Sequence, residues 1–327
     1  MNTTSQGPRY LMRWNFRQSG RIDQDVVSTH HRLGELSLFS NEGLAQLIDL
    51  YPASAIVVET GGGNCDDRRL DDRRLGTIGN ASGSQVLTML REGDFSIILK
   101  DVAQHSRPLR RVLIRLNQEM TECSESMRIC NFGGDLHLTS PGMQSPLRCD
   151  TDPVVRWQIA GNQTLVNYPD DVINRDEHIE RILQHDRDVA YRTPLINKPS
   201  KNDSGWESSV HAGSMQSVMQ ATPHQVVQND QVGVTLITRY QTQTSINRDD
   251  GLLSNQWLRR FEAFGLSGQP DGQHDDRHKF ARRTIASFVR RKAKQQAPRV
   301  DDISFSLDSL IAESPETPTS KQPQLAC

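Results

Sequence analysis

The stretch Gly142-Met-Gln-Ser-Pro-Leu-Arg-Cys-Asp-Thr-Asp-Pro-Val-Val-Arg-Trp-Gln-Ile-Ala-Gly161 decides how this chain is read. Arg148 and Asp150 stand two residues apart between the bounding glycines. On an extended strand that spacing sends both side chains to one side. A second stretch, Gly213-Ser-Met-Gln-Ser-Val-Met-Gln-Ala-Thr-Pro-His224, delivers a histidine after Thr-Pro. Two such strands of one barrel can aim Arg148, Asp150 and His224 at a common point.

The surroundings agree with a barrel. From about Met127, short apolar segments alternate with Gly, Pro, Asn and Asp, which is all-β patterning. The expected strands are Asp135–Thr139, Val154–Ile159, Thr164–Tyr168, Val210–Met219, Gln225–Gln228 and Val232–Gln241, with one helical insertion at about Asp176–Gln184.

The chain before them reads as α/β. Ser40 offers an N-cap to a helix carrying Leu44, Leu47 and Ile48, which Pro52 ends. Ala55–Val58 follows as a strand, Ser82 opens a second helix through Val86, Leu87 and Leu90, and Phe95–Leu99 is a further strand. Pro108 starts a longer amphipathic helix with Leu109, Val112, Leu113, Leu116 and Met120 on one side. The paired Asp-Asp-Arg-Arg-Leu clusters at 66–75 read as a solvated turn with local ion pairs.

The expected organisation is a loosely ordered extension over 1–32, an α/β bracing segment over 33–126 and a β-helix over 127–245. A helical extension over 246–313 and a disordered Pro/Ser/Thr/Gln-rich tail over 314–327 complete it. The fold class is thus an all-β core of cupin or jelly-roll type, with an N-terminal α/β segment and C-terminal helices.

Composition narrows the function. A chain of 327 residues can bury a full core unaided, and 38 basic against 40 acidic residues exclude a generic polyanion binder. One local exception is Arg277–Lys294, with eight basic residues and no acid, which suits either docking by its apolar side or a weak nucleic-acid contact. Five cysteines without a Cys-x-x-Cys pair indicate neither a disulfide framework nor a zinc ribbon. With no signal-peptide pattern and only short apolar runs, the expected location is the cytoplasm.

Ser140-Pro141-Gly142, Asp150, Trp157-Gln-Ile, Gly161, Tyr168-Pro169, Thr222-Pro223-His224 and Val234–Tyr240 together resemble the cupin-like, JmjC-type domain related to 2-oxoglutarate and Fe(II)-dependent oxygenases. Both motifs of that domain keep their spacing: Gly142, position 148, Asp150, Val154 and Gly161 in the first, and Gly213, Met219, Ala221, His224 and Gln228 in the second. The resemblance runs from roughly His31 to Leu310. It implies a double-stranded β-helix holding Fe(II) through a His, carboxylate, His triad with 2-oxoglutarate beside it. It also implies histidine at 148, asparagine near 154 and lysine at 163, where this chain has Arg148, Val154 and Gln163.

Arginine keeps its proton in proteins and offers a metal no lone pair. Asp150 and His224 are therefore candidate metal ligands of an incomplete triad, and Arg148 with Ser145 and Gln163 forms a candidate small-anion site. Three functions follow: a degenerate module binding a small anion or a protein partner, an active oxygenase recruiting another ligand such as His137 or His211, and a nucleic-acid-associated protein. A structural Arg148–Asp150 ion pair stays open beside them.

Overall fold

The structure, a computed structural model, describes residues 9–12, 26–60, 74–123, 129–145, 147, 149–150, 152–169, 205–218, 222–259, 283–288 and 303–308. Strands β1 (Leu11–Met12) and β2 (Ser28–His31) precede helix α1 (Asn41–Asp49), β3 (Ile56–Thr60), β4 (Leu75–Thr77), α2 (Gly83–Glu92) and β5 (Phe95–Leu99). The single-turn α3 (Val102–His105) leads into α4 (Arg107–Cys123). The barrel strands are β6 (Ile129–Thr139), β7 (Val154–Ala160), β8 (Gln163–Asn167), β9 (Trp206–Val210), β10 (Ser214–Val218), β11 (His224–Gln228) and β12 (Gly233–Thr242). Helix α5 (Gln243–Arg259) and β13 (Ile303–Ser306) follow.

Ten strands form a large sheet in the order β1-β2-β10-β7-β12-β6-β5-β3-β4-β13, and three form a small sheet in the order β11-β8-β9. A bridge between Gln144 and Val227 adds the segment around Gln144 to the small sheet. From β6 to β12 the chain thus visits large, small, large, small, small, large, small and large sheet in turn. That path is a double-stranded β-helix.

Local chemistry explains the helices. Ser40 Oγ accepts the Gly43 N–H at 3.1 Å at the start of α1, and Ser82 with Gln85 forms a capping box at the start of α2. The apolar stripes expected on α1, α2 and α4 are the buried ones: Leu44, Leu47, Val86, Leu90, Leu109, Leu116 and Met120 pack on the outer face of the large sheet, against Leu136, Leu138, Trp157 and Leu236. Each such side chain contributes about 1.5–3 kcal/mol by burial.

Two expectations change. Val210–Met219 is not one strand but β9 and β10, in different sheets, because Gly213 at φ +81° lets the chain reverse after Val210. Residues 28–31, expected in a loose extension, form an edge strand: β2 pairs with β10, and the Val27 N–H donates to Ser217 Oγ at 2.7 Å. The N-terminal edge is pinned further by Glu119 of α4, 1 % exposed, which accepts the backbone N–H of Leu11 at 2.7 Å and of Tyr10 at 3.0 Å.

The Asp66–Leu70 cluster, the Asp176–Gln184 insertion and the tail from Ser314 lie outside the described residues. So does most of Arg277–Lys294, of which 283–288 are helical. Among the described residues no helix is long and apolar enough to cross a membrane.

Gly142, Gly161 and Gly213 all take positive φ at turns between barrel strands. At Gly161 a Cβ would also stand 2.5 Å from the Val232 carbonyl oxygen. Gly161→Ala should therefore cost about 1–2 kcal/mol in backbone strain alone, whereas Gly133→Ala, with nothing within 4 Å, should stay within about 1 kcal/mol. Urea melts of the two variants check this, and equal midpoints would remove the argument.

His31, 5 % exposed, sits 5.8 Å from the Trp157 ring and accepts the Leu33 N–H at its Nδ1. Burial lowers its pKa from 6.5 to about 4, against a weaker upward pull from the Gln158 and Ser214 backbones. The unfolded chain thus takes up a proton that the fold refuses. Stability is complete above pH 6.5 and falls, by at most about 3 kcal/mol, as pH drops towards 4. The pH slope of denaturation should be shallower in His31→Gln, and an unchanged slope would show that His31 is not the group responsible.

Candidate functional site

Strand alternation gives the barrel its polar interior. On β6, Leu136 and Leu138 point to the helices while Asp135, His137 and Thr139 point inward; on β7, Val155 and Trp157 face out while Val154, Arg156 and Gln158 face in. The small sheet answers with Gln163, Leu165 and Asn167 on β8, and His224, Val226 and Gln228 on β11, all buried at 8 % exposure or less.

At one end stand two of the expected residues. His224, fully buried, places Nε2 3.4 Å from Asp150 Oδ2, whose side chain is 17 % exposed. The other ring nitrogen, Nδ1, lies 2.9 Å from the Thr222 carbonyl oxygen. A carbonyl only accepts, so Nδ1 carries a hydrogen. Nε2 then either holds a second hydrogen, making an imidazolium paired with Asp150, or turns a lone pair towards the carboxylate. Arg148 lies outside the described residues.

Towards the other end is a cavity of about 60 Å³, enough for a carboxylate or a few waters, whose lining includes Glu59, His137, Ser145, Arg156, Gln163 and Gln228. Arg156, 4 % exposed, donates from Nη2 to Gln163 Oε1 at 3.0 Å. Gln163 Nε2 donates to Gln158 Oε1 at 2.5 Å, and the same oxygen accepts from Thr235 Oγ1 at 2.7 Å. A buried guanidinium is thereby tied into a chain of side-chain amides and a hydroxyl.

The candidate residues thus divide. Asp150 and His224 share one end, while Ser145 and Gln163 line the cavity. Ser145 is also fixed to β11, its Oγ accepting the Val226 N–H at 2.8 Å and its own N–H donating to the Val226 carbonyl. His137 lines the cavity, and His211 is exposed just after Val210, which pairs with Gln163. That places His211 beyond the end of the small sheet away from His224, five residues or roughly 16 Å along the strands. His211 is therefore not the recruited third ligand. Among the described residues no group of three His, Cys, Asp or Glu side chains converges on a metal position.

Sequence reasoning missed Arg156. The signal was present: one charge inside the otherwise uncharged strand Val-Val-Arg-Trp-Gln-Ile-Ala, all buried through Ile159, marks a residue with an interior task.

A double-stranded β-helix with Asp150 and His224 meeting at one end has the arrangement that the motif spacing implied. The fold is a double-stranded β-helix of the cupin type. Solved structures similar to this chain include ycfD of Escherichia coli, with a TM-score of 0.49 and 10 % identity over 86 % of this chain and 68 % of that one. A structure described as the E. coli ribosomal oxygenase YcfD in complex with cobalt and 2-oxoglutarate aligns with a TM-score of 0.46 and 10 % identity over 86 % and 67 %. The same enzyme with cobalt and succinic acid aligns at 0.41 and 9 % over 88 % and 70 %. No family model matches the sequence, and no curated protein matches it.

Within this barrel, Gln158 is the hub of the polar chain. Gln158→Leu would remove the shared acceptor of the Gln163 amide and the Thr235 hydroxyl, both on the cavity wall, at a cost of about 1–3 kcal/mol. Chemical denaturation measures it, and a loss well under 1 kcal/mol would mean the chain of bonds adds little.

Proposed function

We propose that this chain is a small-anion-binding module on a JmjC-like, oxygenase-related barrel, with a degenerate metal site at one end. The observation that carries the proposal is Arg156, a permanent cation held inside the barrel on the wall of a partly open cavity with mixed polar and apolar lining. A carboxylate matches the fork of a guanidinium with two parallel N–H donors, and Ser145 and Gln163 flank the same space. Glu59 shares the cavity, which favours an anion of low charge, such as a carboxylate, over phosphate. In this reading Arg156 takes over the part that Lys would play at position 163, from the neighbouring strand.

The second reading is a working Fe(II) and 2-oxoglutarate oxygenase. The His224 tautomer favours it, because an Nδ1–H fixed by a backbone carbonyl presents Nε2 as a ligand would be presented. Asp150 and His224 would hold the iron, which when bound with 2-oxoglutarate and oxygen supplies hydroxylation chemistry. Arg148 weighs against it by its chemistry, since a guanidinium offers a metal no lone pair, and one held about 4 Å from a divalent ion would cost roughly 8 kcal/mol at an effective dielectric of ~20.

Thermal-shift titrations with succinate and 2-oxoglutarate separate the two. Both anions should raise the melting temperature of the wild type, and neither should move that of Arg156→Met. Equal shifts in wild type and variant would end the Arg156 proposal. Sustained succinate release from 2-oxoglutarate under iron and oxygen, abolished in Asp150→Ala, would replace the binding reading by the oxygenase one.

A further inference from the structure

The large sheet ends on a strand that reaches it from far along the chain. β13 and the two residues after it, Ile303-Ser-Phe-Ser-Leu-Asp308, lie on β4 by parallel pairing of Ile303 with Leu75, Phe305 with Gly76 and Ser306 with Thr77. β13 is the outermost of the ten strands, and β4 is its one strand partner among the described residues. The segment forms a strap: Ile303 and Ser304 are exposed, Leu307 is fully buried in the core, and the fourteen residues 289–302 separate it from the helical stretch 283–288.

β4 and the turn after it are shaped around this strap. At Gly76 a Cβ would stand 2.5–2.7 Å from atoms of the Phe305 ring, and at Gly79, φ +59°, one would stand 2.2 Å from Asp308 Oδ1. Asn80 donates its backbone N–H to Asp308 Oδ2 at 2.9 Å and its side-chain amide to the same oxygen at 3.3 Å. Ser304 Oγ donates to the Leu75 carbonyl at 3.3 Å. Leu75-Gly-Thr-Ile-Gly-Asn80 is thus a slot that reads an extended segment in three ways: a backbone edge, a bare position under an aromatic ring, and two donors for a carboxylate.

Nothing in this pairing requires strap and slot to belong to one chain. A linker of fourteen residues spans up to about 50 Å, comparable with the width of a globular chain of this length. We infer that the slot on β4 is also the docking site for residues 303–308 of a second copy of this chain, so that two copies exchange straps. Each copy carries both halves, which makes the contact self-complementary and closes it at two chains. Within one chain the linker holds the strap near its own slot at an effective concentration of about 1 mM. A strap that stays docked at that concentration has an intrinsic dissociation constant of about 0.1 mM or tighter. Exchange is therefore silent in dilute wild-type protein and emerges when the internal contact is broken or the chain is concentrated. The slot lies outside the barrel interior, so the inference is independent of what fills the cavity at Arg156.

The test mixes two full-length variants. Gly76→Val fills the slot and ejects the strap, which leaves a free strap on a blocked chain. Phe305→Ala combined with Leu307→Ser weakens the strap and leaves a free slot. In sedimentation equilibrium at about 0.1 mM of each, the mixture should contain a 1:1 complex while each variant alone stays monomeric. A mixture that stays monomeric would overturn the inference, and so would variants that dimerise alone to the same extent, because the contact then lies elsewhere. Circular dichroism melts check that both variants are folded. If either is not, wild type at about 1 mM decides. Dimers that dissociate with excess peptide of residues 301–310, and not with the same peptide carrying Phe305→Ala, bear the inference out; monomers, or dimers indifferent to the peptide, overturn it.

Discussion

Every strand of the large sheet within the barrel has to serve a dry face and a polar one at once, and the alternation of Cβ directions along a strand leaves no freedom in which residue serves which. On β7 this puts Val155, Trp157 and Ile159 into the layer shared with α1, α2 and α4, and commits Arg156 and Gln158 to the barrel interior. Once a guanidinium is inside, its surroundings must answer it, because it cannot shed its charge. Gln163 and Gln158, one residue deep in each sheet, do so through side-chain amides, and Thr235 closes the chain from β12. An inward apolar group, Val154, Leu165, Val210, Val218, Val226 and Ile237, provides the packing that holds these polar groups in register.

The barrel therefore has two chemically distinct ends. His224 opens β11 and Gln228 closes it, so one strand contributes to both. Near His224 the groups are a carboxylate, an imidazole and an amide, an electron-rich cluster. Near Gln228 they include a guanidinium and a carboxylate among neutral hydrogen-bonding side chains. The set of side chains changes from one end to the other along a strand of five residues.

Much of this was legible before any coordinates. The turn glycines Gly142, Gly161 and Gly213 announce themselves because positive φ selects for glycine, and they bracket strands whose period-2 patterns match the observed pairing. Asp150 and His224 were legible as partners because motif spacing fixes where strands begin. What escaped is physically consistent. Val210–Met219 reads as one run because its break at His211-Ala212-Gly213 shows only a single turn-former, and the switch between sheets leaves no composition mark. Residues 28–31 owe their strand to pairing with β10, a partner some 190 positions away, and local pattern cannot report that. Asn167 carries no mark in the sequence beyond its place in an expected strand, and only burial without a partner singles it out.

The attachment of β2 to β10, of β1 to α4 through Glu119, and of β13 to β4 gives the molecule an unusual order of assembly. The outermost strands come from the two termini, yet they seal edges formed far away in sequence. Along the chain, β1 meets Glu119 of α4 first, β2 gains its inner strand partner only with β10, and β4 gains β13 later still. A nascent chain would therefore carry unpaired strand edges until late in its translation, a consequence of the sheet order.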